Sequence, residues 1–296
     1  MNFKKVLVGI PTRDRPDYLA VLLFSLLEQD VDFDVLIVNT SDVKDSPFIG
    51  GGTLLERIIP TLQALGHSVT LESVTVAGRS ETVAVNHILA KAVEQKYGYV
   101  FKVDDDHYLP QGTLRRLQIA IHELDPNADK PVLISGVTPW MKAAYVGAAG
   151  PGDMSEGEPT EPLTHLNWDV ISEEATAIVN HFVRYPASIR GESELVKTQL
   201  ASAANFMMRP DTRILWSDTC SRSMYCDAAW FIQLQALLNY RLFFDLSLNV
   251  WHVAAPTGGC RDGEEGFLKT DADNQRRATF MYHLLRQFGI ARNICT

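Results

Sequence analysis

Three aspartates stand side by side at Asp104, Asp105 and Asp106, in the stretch VDDDHYLP that follows the run YVFKV. Three adjacent like charges repel, so such a cluster is stable when water solvates it or when a cation neutralises it. Hard carboxylate oxygens suit Mg²⁺ or Mn²⁺, ions that normally share their coordination with substrate phosphates. Aspartates also favour solvated turns and helix N-caps, and the cluster taken alone leaves both readings open. A second candidate is His252, in WHVAAPTGGC, where a histidine ends a strand-like run and a glycine-bearing loop follows with Arg261 in it. A strand-end histidine is a packed residue or a metal ligand; Arg261, after Gly258 and Gly259, is an ordinary surface cation or one that closes over a phosphate-bearing ligand. The third is Asp227, in SMYCDAAWFIQLQ, which opens a helix: it is either a cap or a general base for a hydroxyl.

The elements that must position these groups alternate strand and helix through the first half of the chain, the pattern of a parallel sheet covered on both faces. Strands are expected at Val6 to Ile10, Asp34 to Val38, Val69 to Val74, Tyr99 to Val103 and Val132 to Val137. Helices are expected over about 14–29, 53–65, 80–95 and 111–124, with the turn Gly50 to Gly52 before the second and Gly66 stopping it. The acidic cluster then falls at the carboxyl end of a buried strand, where open α/β sheets build ligand crevices. From 138 to about 200 the alternation stops, and Gly, Pro and acidic residues over 147–162 suggest an irregular lobe. Regular signals return at Ala201 to Met208, in a helix from Asp227 to Leu238, in strands at Arg241 to Phe244 and Leu248 to Val253, and in a last helix over about 271–288. The expected organisation is a single α/β domain of two halves, 1–137 and 138–296.

With 296 residues, 46% of them hydrophobic, the chain can bury a full core without disulfides. Its four cysteines, Cys220, Cys226, Cys260 and Cys295, form no CxxC pair, and free thiols are expected. A formal charge of −9 works against tight non-specific binding to nucleic acid or acidic lipid. The N-terminal apolar run is broken by Gly9 and Pro11, and no stretch nearby is long enough to span a bilayer, so a cytoplasmic location is expected.

In this order the motifs resemble those of the family 2 glycosyltransferases of GT-A fold, from about residue 4 to 261. VGIPTRDRPDYLAVLLFSLLEQ is similar to that family's first strand, turn and helix; IVNTSD, residues 37–42, lies where it usually has an acidic residue for the nucleotide base; AGRSETVAVNHILAKA, residues 77–92, is similar to its glycine-to-asparagine helix. VDDDHYLP matches its DxD motif, ASAANFMMRP its acceptor-side strand, CDAAW the segment of its base, and WHV its late metal-binding histidine. The resemblance implies a Rossmann-like GT-A fold with a mostly parallel central sheet and an acceptor-side lobe, Mn²⁺ or Mg²⁺ as cofactor, and inverting transfer from a nucleoside-diphosphate sugar to the hydroxyl of a saccharide, lipid-linked or other acceptor. It makes Asp104 and Asp105 nucleotide-sugar contacts, Asp106 the direct metal ligand, His252 a second ligand and Asp227 the base. Pro11 and Arg13 would border the nucleoside, and Arg79 and Arg261 the diphosphate.

Three positions depart from the family pattern. Asn39 stands for the usual acidic residue and favours uracil, which its amide can pair in both senses. Ile88 stands where a glycine is usual, and Cys226 where an acidic residue normally precedes the base. A sugar-phosphate nucleotidylyltransferase would need a glycine-rich, arginine-bearing loop after the first strand, where this chain has GIPTRDRP. Two further function classes compete with sugar transfer to an ordinary acceptor: a catalytically inactive nucleotide-sugar-binding protein, and a glycosyltransferase acting on modified DNA bases. Trp140, Trp168 and Tyr185, in the 138–200 segment, are candidates to stack on an acceptor sugar.

Overall fold

The computed structural model describes residues 4–13, 16–40, 55–74, 81–137, 188–189, 191–198, 201–216 and 226–252. The chain opens with β1 (Val6–Thr12), α1 (Pro16–Leu26), β2 (Phe33–Asn39), α2 (Leu55–Ala64), β3 (Val69–Ser73), α3 (Glu81–Glu94) and β4 (Tyr99–Val103). Then come β5 (His107–Tyr108), α4 (Thr113–Leu124), β6 (Val132–Val137), β7 (Ser188–Ile189), β8 (Leu195–Thr198) and β9 (Asn205–Met208). Helix α5 (Cys226–Leu238), β10 (Arg241–Asn249) and β11 (Trp251–His252) complete the described elements.

The first four long strands lie where the apolar runs put them. β1, β2 and β4 are buried from end to end, as expected of parallel strands covered on both faces. Gly66 has φ +94°, a conformation open to glycine at little cost, and it follows the end of α2 as a helix stop should.

The main sheet has nine strands in the order β3-β2-β1-β4-β9-β6-β10-β7, with β8 also pairing β10. β3, β2, β1, β4, β6 and β10 run one way. β9 runs against β4 and β6, and β7 and β8 run against β10. This is the GT-A arrangement, and strands from both halves of the chain build it.

Alternation along each strand divides the core between the two faces. Val6, Val8 and Ile10 of β1 join α1, α2 and α4 on one side, with Leu19, Leu23, Leu62 and Leu117 among the fully buried contacts. Leu7 of β1 and Val100 of β4 join α3 and α5 on the other, where Val85, Ile88, Trp230 and Phe231 pack. Fully burying one such side chain contributes roughly 1.5–3 kcal/mol.

Gly9 of β1 is what lets α3 sit so close. A Cβ there would lie 2.1 Å from Cγ2 of Ile88, so the isoleucine on the helix occupies the space that a side chain on the strand would need.

Three expectations change. β5, β7 and β8 are strands where none was expected, and β9 is confined to Asn205–Met208 rather than starting at Ala201. The two separate strands expected at 241–244 and 248–253 are one strand, β10, with β11 beyond it. The reason is Asp245, whose polar side chain interrupts the apolar run but is fully buried against Arg116 of α4, with Nε 2.5 Å from Oδ2. The Gly50 to Gly52 turn, most of the 138–200 lobe with Trp140, Trp168 and Tyr185, the loop after His252 and the last helix lie outside the described residues. No helix among the described residues is long and apolar enough to cross a membrane.

Candidate metal and nucleotide-sugar site

At the carboxyl edge of the sheet, β1, β2 and β4 end side by side. Thr12 pairs in register with Asn39, and Gly9 with Lys102. Asp104 is the first residue beyond β4, and its N–H donates to Ala204 O at 2.8 Å, which ties the acidic triplet to the segment entering β9. Thr12 Oγ1 donates to Asp105 Oδ2 at 2.6 Å across the strand ends, and Asp105 is fully buried. The central aspartate thus fastens the triplet to the end of β1 through this buried hydrogen bond. Gln29, just past α1, holds the other end of the loop. Its Nε2 donates to Pro110 O at 3.0 Å, and its Oε1 accepts from the N–H of Leu114 at 3.2 Å.

With the loop clamped at both ends, Asp104, Asp106 and His107 each present one ligand atom, and these atoms lie within 4.8 Å of one another. His107 Nδ1 is 3.3 Å from Asp106 Oδ1. Both residues are buried, while the Asp104 side chain is about one quarter exposed, with a relative exposure of 26%. Two carboxylates and an imidazole at this spacing fit a hard divalent cation such as Mn²⁺ or Mg²⁺, and thiolate ligands that would favour softer ions are absent from the cluster.

His107 was not among the residues singled out in the sequence, although it directly follows the triplet. The signal that identifies it is a pairing: β5 runs antiparallel to β11, with His107 opposite His252 and Tyr108 opposite Trp251. The late histidine segment is therefore brought to the acidic loop by backbone hydrogen bonding.

Lys102 also escaped notice, as a charge inside a buried strand. Its side chain is fully buried, and Nζ donates to Glu81 Oε1 at 2.6 Å, to Ala203 O at 2.7 Å and to Asp104 Oδ1. Burial alone would lower its pKa, but Asp104 and Glu81 more than reverse this and hold the ammonium charged above its ordinary value. Glu81, in the first turn of α3, goes the other way. Burial raises its pKa, the positive charge of Lys102 opposes the rise, and the charges of Asp104 and Asp227 add to it.

Asp227 lies in the first turn of α5. Its position is set by Trp216 and Trp230. Asn86 of α3 grips the backbone of Trp216 from both sides, donating to its O at 2.9 Å and accepting from its N–H at 2.8 Å. Trp230 Nε1 donates to Ile214 O at 2.9 Å, and the two indoles pack with centroids 5.8 Å apart.

Of the remaining expected contacts, Pro11 is buried in β1, Asn39 is buried at the end of β2, and Arg13 is half-buried just beyond β1. Arg79 and Arg261 lie outside the described residues. The departure at Ile88 has its explanation in Gly9, which supplies on the strand the room that a glycine would otherwise supply on the helix.

No protein-family model and no curated protein matches the sequence. Solved structures do match in fold. The chain is similar to residues 1–349 of S. aureus TarS, with a TM-score of 0.51 and 15% identity over 95% of this chain and 65% of that one. It is also similar to the mannosyltransferase PcManGT of Pyrobaculum calidifontis in complex with GDP-Man and Mn²⁺, with a TM-score of 0.53 and 14% identity over 97% of this chain and 64% of that one. The chain thus spans about two thirds of the length of each. At these identities the likeness establishes the architecture alone, and that architecture is the GT-A fold.

Proposed function

We propose that this protein is a divalent-metal-dependent glycosyltransferase that uses a nucleoside-diphosphate sugar. The observation that carries the reading is the convergence of Asp104, Asp106 and His107 at the carboxyl edge of a GT-A sheet, in a fold shared with a mannosyltransferase solved with GDP-Man and Mn²⁺. In this reading Asp104, Asp106 and His107 hold Mn²⁺ or Mg²⁺, and His252, whose backbone pairs with His107, completes the ligand set. The bound cation supplies the charge that stabilises the leaving diphosphate.

The chain's own residues do the rest. Pro11 and Arg13 border the base and ribose, and the Asn39 amide pairs with uracil, so a UDP-sugar is the favoured donor. Arg79 and Arg261 neutralise diphosphate oxygens by charge-assisted hydrogen bonds. Asp227, at the start of α5, removes the proton from the acceptor hydroxyl as it attacks the anomeric carbon from the face opposite the diphosphate, and the configuration inverts. Tyr185, Trp140 and Trp168 are the aromatic candidates for stacking on the acceptor.

Calorimetry of UDP binding tests the central point. We expect binding with Mn²⁺ or Mg²⁺ present and its loss in excess chelator, with Asp106→Asn weakening the metal-dependent part more than Asp105→Asn. Equal UDP affinity with and without chelator refutes the metal-dependent reading, and equal effects of the two variants refute the assignment within the triplet.

A further inference from the structure

Lys102 is an unusual residue to find on a buried strand. Its side chain is fully covered, yet it stands only two positions before Asp104, the first residue beyond β4. An ammonium has three N–H donors, and here they go to three different pieces of chain. One reaches Glu81 on α3, one reaches Asp104 beyond β4, and one reaches the carbonyl of Ala203 ahead of β9. The ring of Trp216 covers the ammonium from another side, with its centroid 5.7 Å from Nζ. With every donor engaged, Lys102 has none to offer a phosphate. Its effect on the site is exerted through Asp104.

Resting on the metal-site reading above, we infer that Lys102 is a positioning residue that divides Asp104 between the sheet and the cation. Oδ1 of Asp104 accepts from Lys102, whereas Oδ2 has no hydrogen bond among the described residues. The lysine therefore fixes which oxygen faces the site and sets an ammonium close to where a dication would stand. Like charges at that range oppose each other, so the acidic loop holds the cation weakly by itself. A diphosphate adds oxygens that do not contact Lys102, and the cation is held firmly only when the nucleotide is present. Glu81 limits this effect by taking part of the ammonium's charge.

The inference gives opposite signs for two neighbouring substitutions. Lys102→Met removes the positive charge while keeping an unbranched side chain, and Mn²⁺ binding in the absence of nucleotide should tighten by at least about tenfold. Glu81→Gln leaves Lys102 with Asp104 as its one anionic partner of the pair, and Mn²⁺ binding should weaken several-fold. The double variant removes one charge of each sign and should return close to the native affinity. Free Mn²⁺ is counted by electron paramagnetic resonance, with and without UDP, and thermal melts show which variants are folded. The extra Mn²⁺ affinity conferred by UDP should shrink in Lys102→Met.

A lysine that only held the fold together would behave differently, because its loss would lower the melting temperature and loosen the site. A folded Lys102→Met that binds Mn²⁺ no more tightly than the native protein overturns the inference. If Lys102→Met does not fold, Glu81→Gln decides, and unchanged Mn²⁺ affinity in that variant overturns it. A native protein that binds no Mn²⁺ with or without UDP overturns the metal-site reading and this inference together, whereas native binding with indifferent variants overturns the inference alone.

Discussion

Gly9→Ala is a small change with a cost that can be worked from the structure. The added Cβ would lie 2.1 Å from Cγ2, 3.0 Å from Cγ1 and 3.1 Å from Cβ of Ile88. Carbon atoms pack at about 3.5–4.0 Å, so the helix face must retreat by roughly 1.5 Å or the isoleucine must leave its rotamer. Rotation offers little relief, since a β-branched side chain has one favoured χ1 in a helix and its Cβ is itself in close contact. Overpacking of this kind costs about 1–3 kcal/mol, partly offset by about 0.4–1 kcal/mol from the lower backbone entropy of the unfolded alanine chain. For a chain of this size each 1 kcal/mol is worth about 2–4 °C in Tm. Urea and thermal unfolding of Gly9→Ala, Ile88→Ala and the double variant measure the effect. Ile88→Ala alone should cost about 2–5 kcal/mol through the cavity it leaves, and adding the strand methyl should refill part of that space. The two changes should therefore combine to less than their sum by at least about 1 kcal/mol. Additive costs, or a Gly9→Ala variant as stable as the native protein, would refute the account of how α3 is seated.

Asp227→Asn should leave UDP affinity unchanged and the melting temperature nearly so, because the amide keeps the carboxyl's shape and gives up only the small dipole term of a first-turn charge, and should reduce sugar transfer about 10²- to 10⁴-fold. Transfer at near the native rate would make Asp227 a first-turn helix charge alone and direct the search for a base to Asp218 or Glu192. A second expectation concerns acid. In Asp245 burial raises the pKa, but hydrogen bonds from Arg116 and Ser247 outweigh it and hold the carboxyl below its ordinary value. In Asp34 burial is likewise outweighed, by Tyr97, Lys5 and the N–H of Ser68. A depressed folded pKa gives stability that is complete above the unfolded value of about 4 and drains as pH falls through the folded one. Urea unfolding below about pH 4 should thus show a less steep loss of stability in Asp245→Asn than in the native protein; parallel losses would contradict the assignment.

Much of the first half was legible because β1, β2 and β4 are buried on both faces and carry apolar runs, as in Val6 to Ile10 and Val35 to Val38. What escaped depended on partners far along the chain. The run through β10 looks broken at Asp245 because the arginine that neutralises it is on α4. β5 and β11 are two residues each and exist only as each other's partner, so neither has a pattern of its own. The same holds at the site. The triplet stood out by composition, but His107 gains meaning from its place opposite His252, and Lys102 from Glu81 and Ala203. Asp105 adds a contact that the triplet's composition does not reveal, since Thr12 at the end of β1 donates to its carboxylate.

The placement of β9 has a consequence for how the molecule is made. During synthesis the N-terminal strands emerge first, and domains generally fold as units. β4 and β6 are both complete by Val137, yet the strand that joins them is Asn205–Met208. Until it emerges, each presents an open edge of unsatisfied backbone groups, the kind of edge that pairs with other chains. The nascent N-terminal half therefore waits, aggregation-prone, for a late segment to close its sheet. That segment also carries Ala203 and Ala204, the carbonyl partners of Lys102 and of the Asp104 N–H. Closing the sheet and setting the acidic loop are one event in the life of the chain, so a fragment ending near Val137 would have neither.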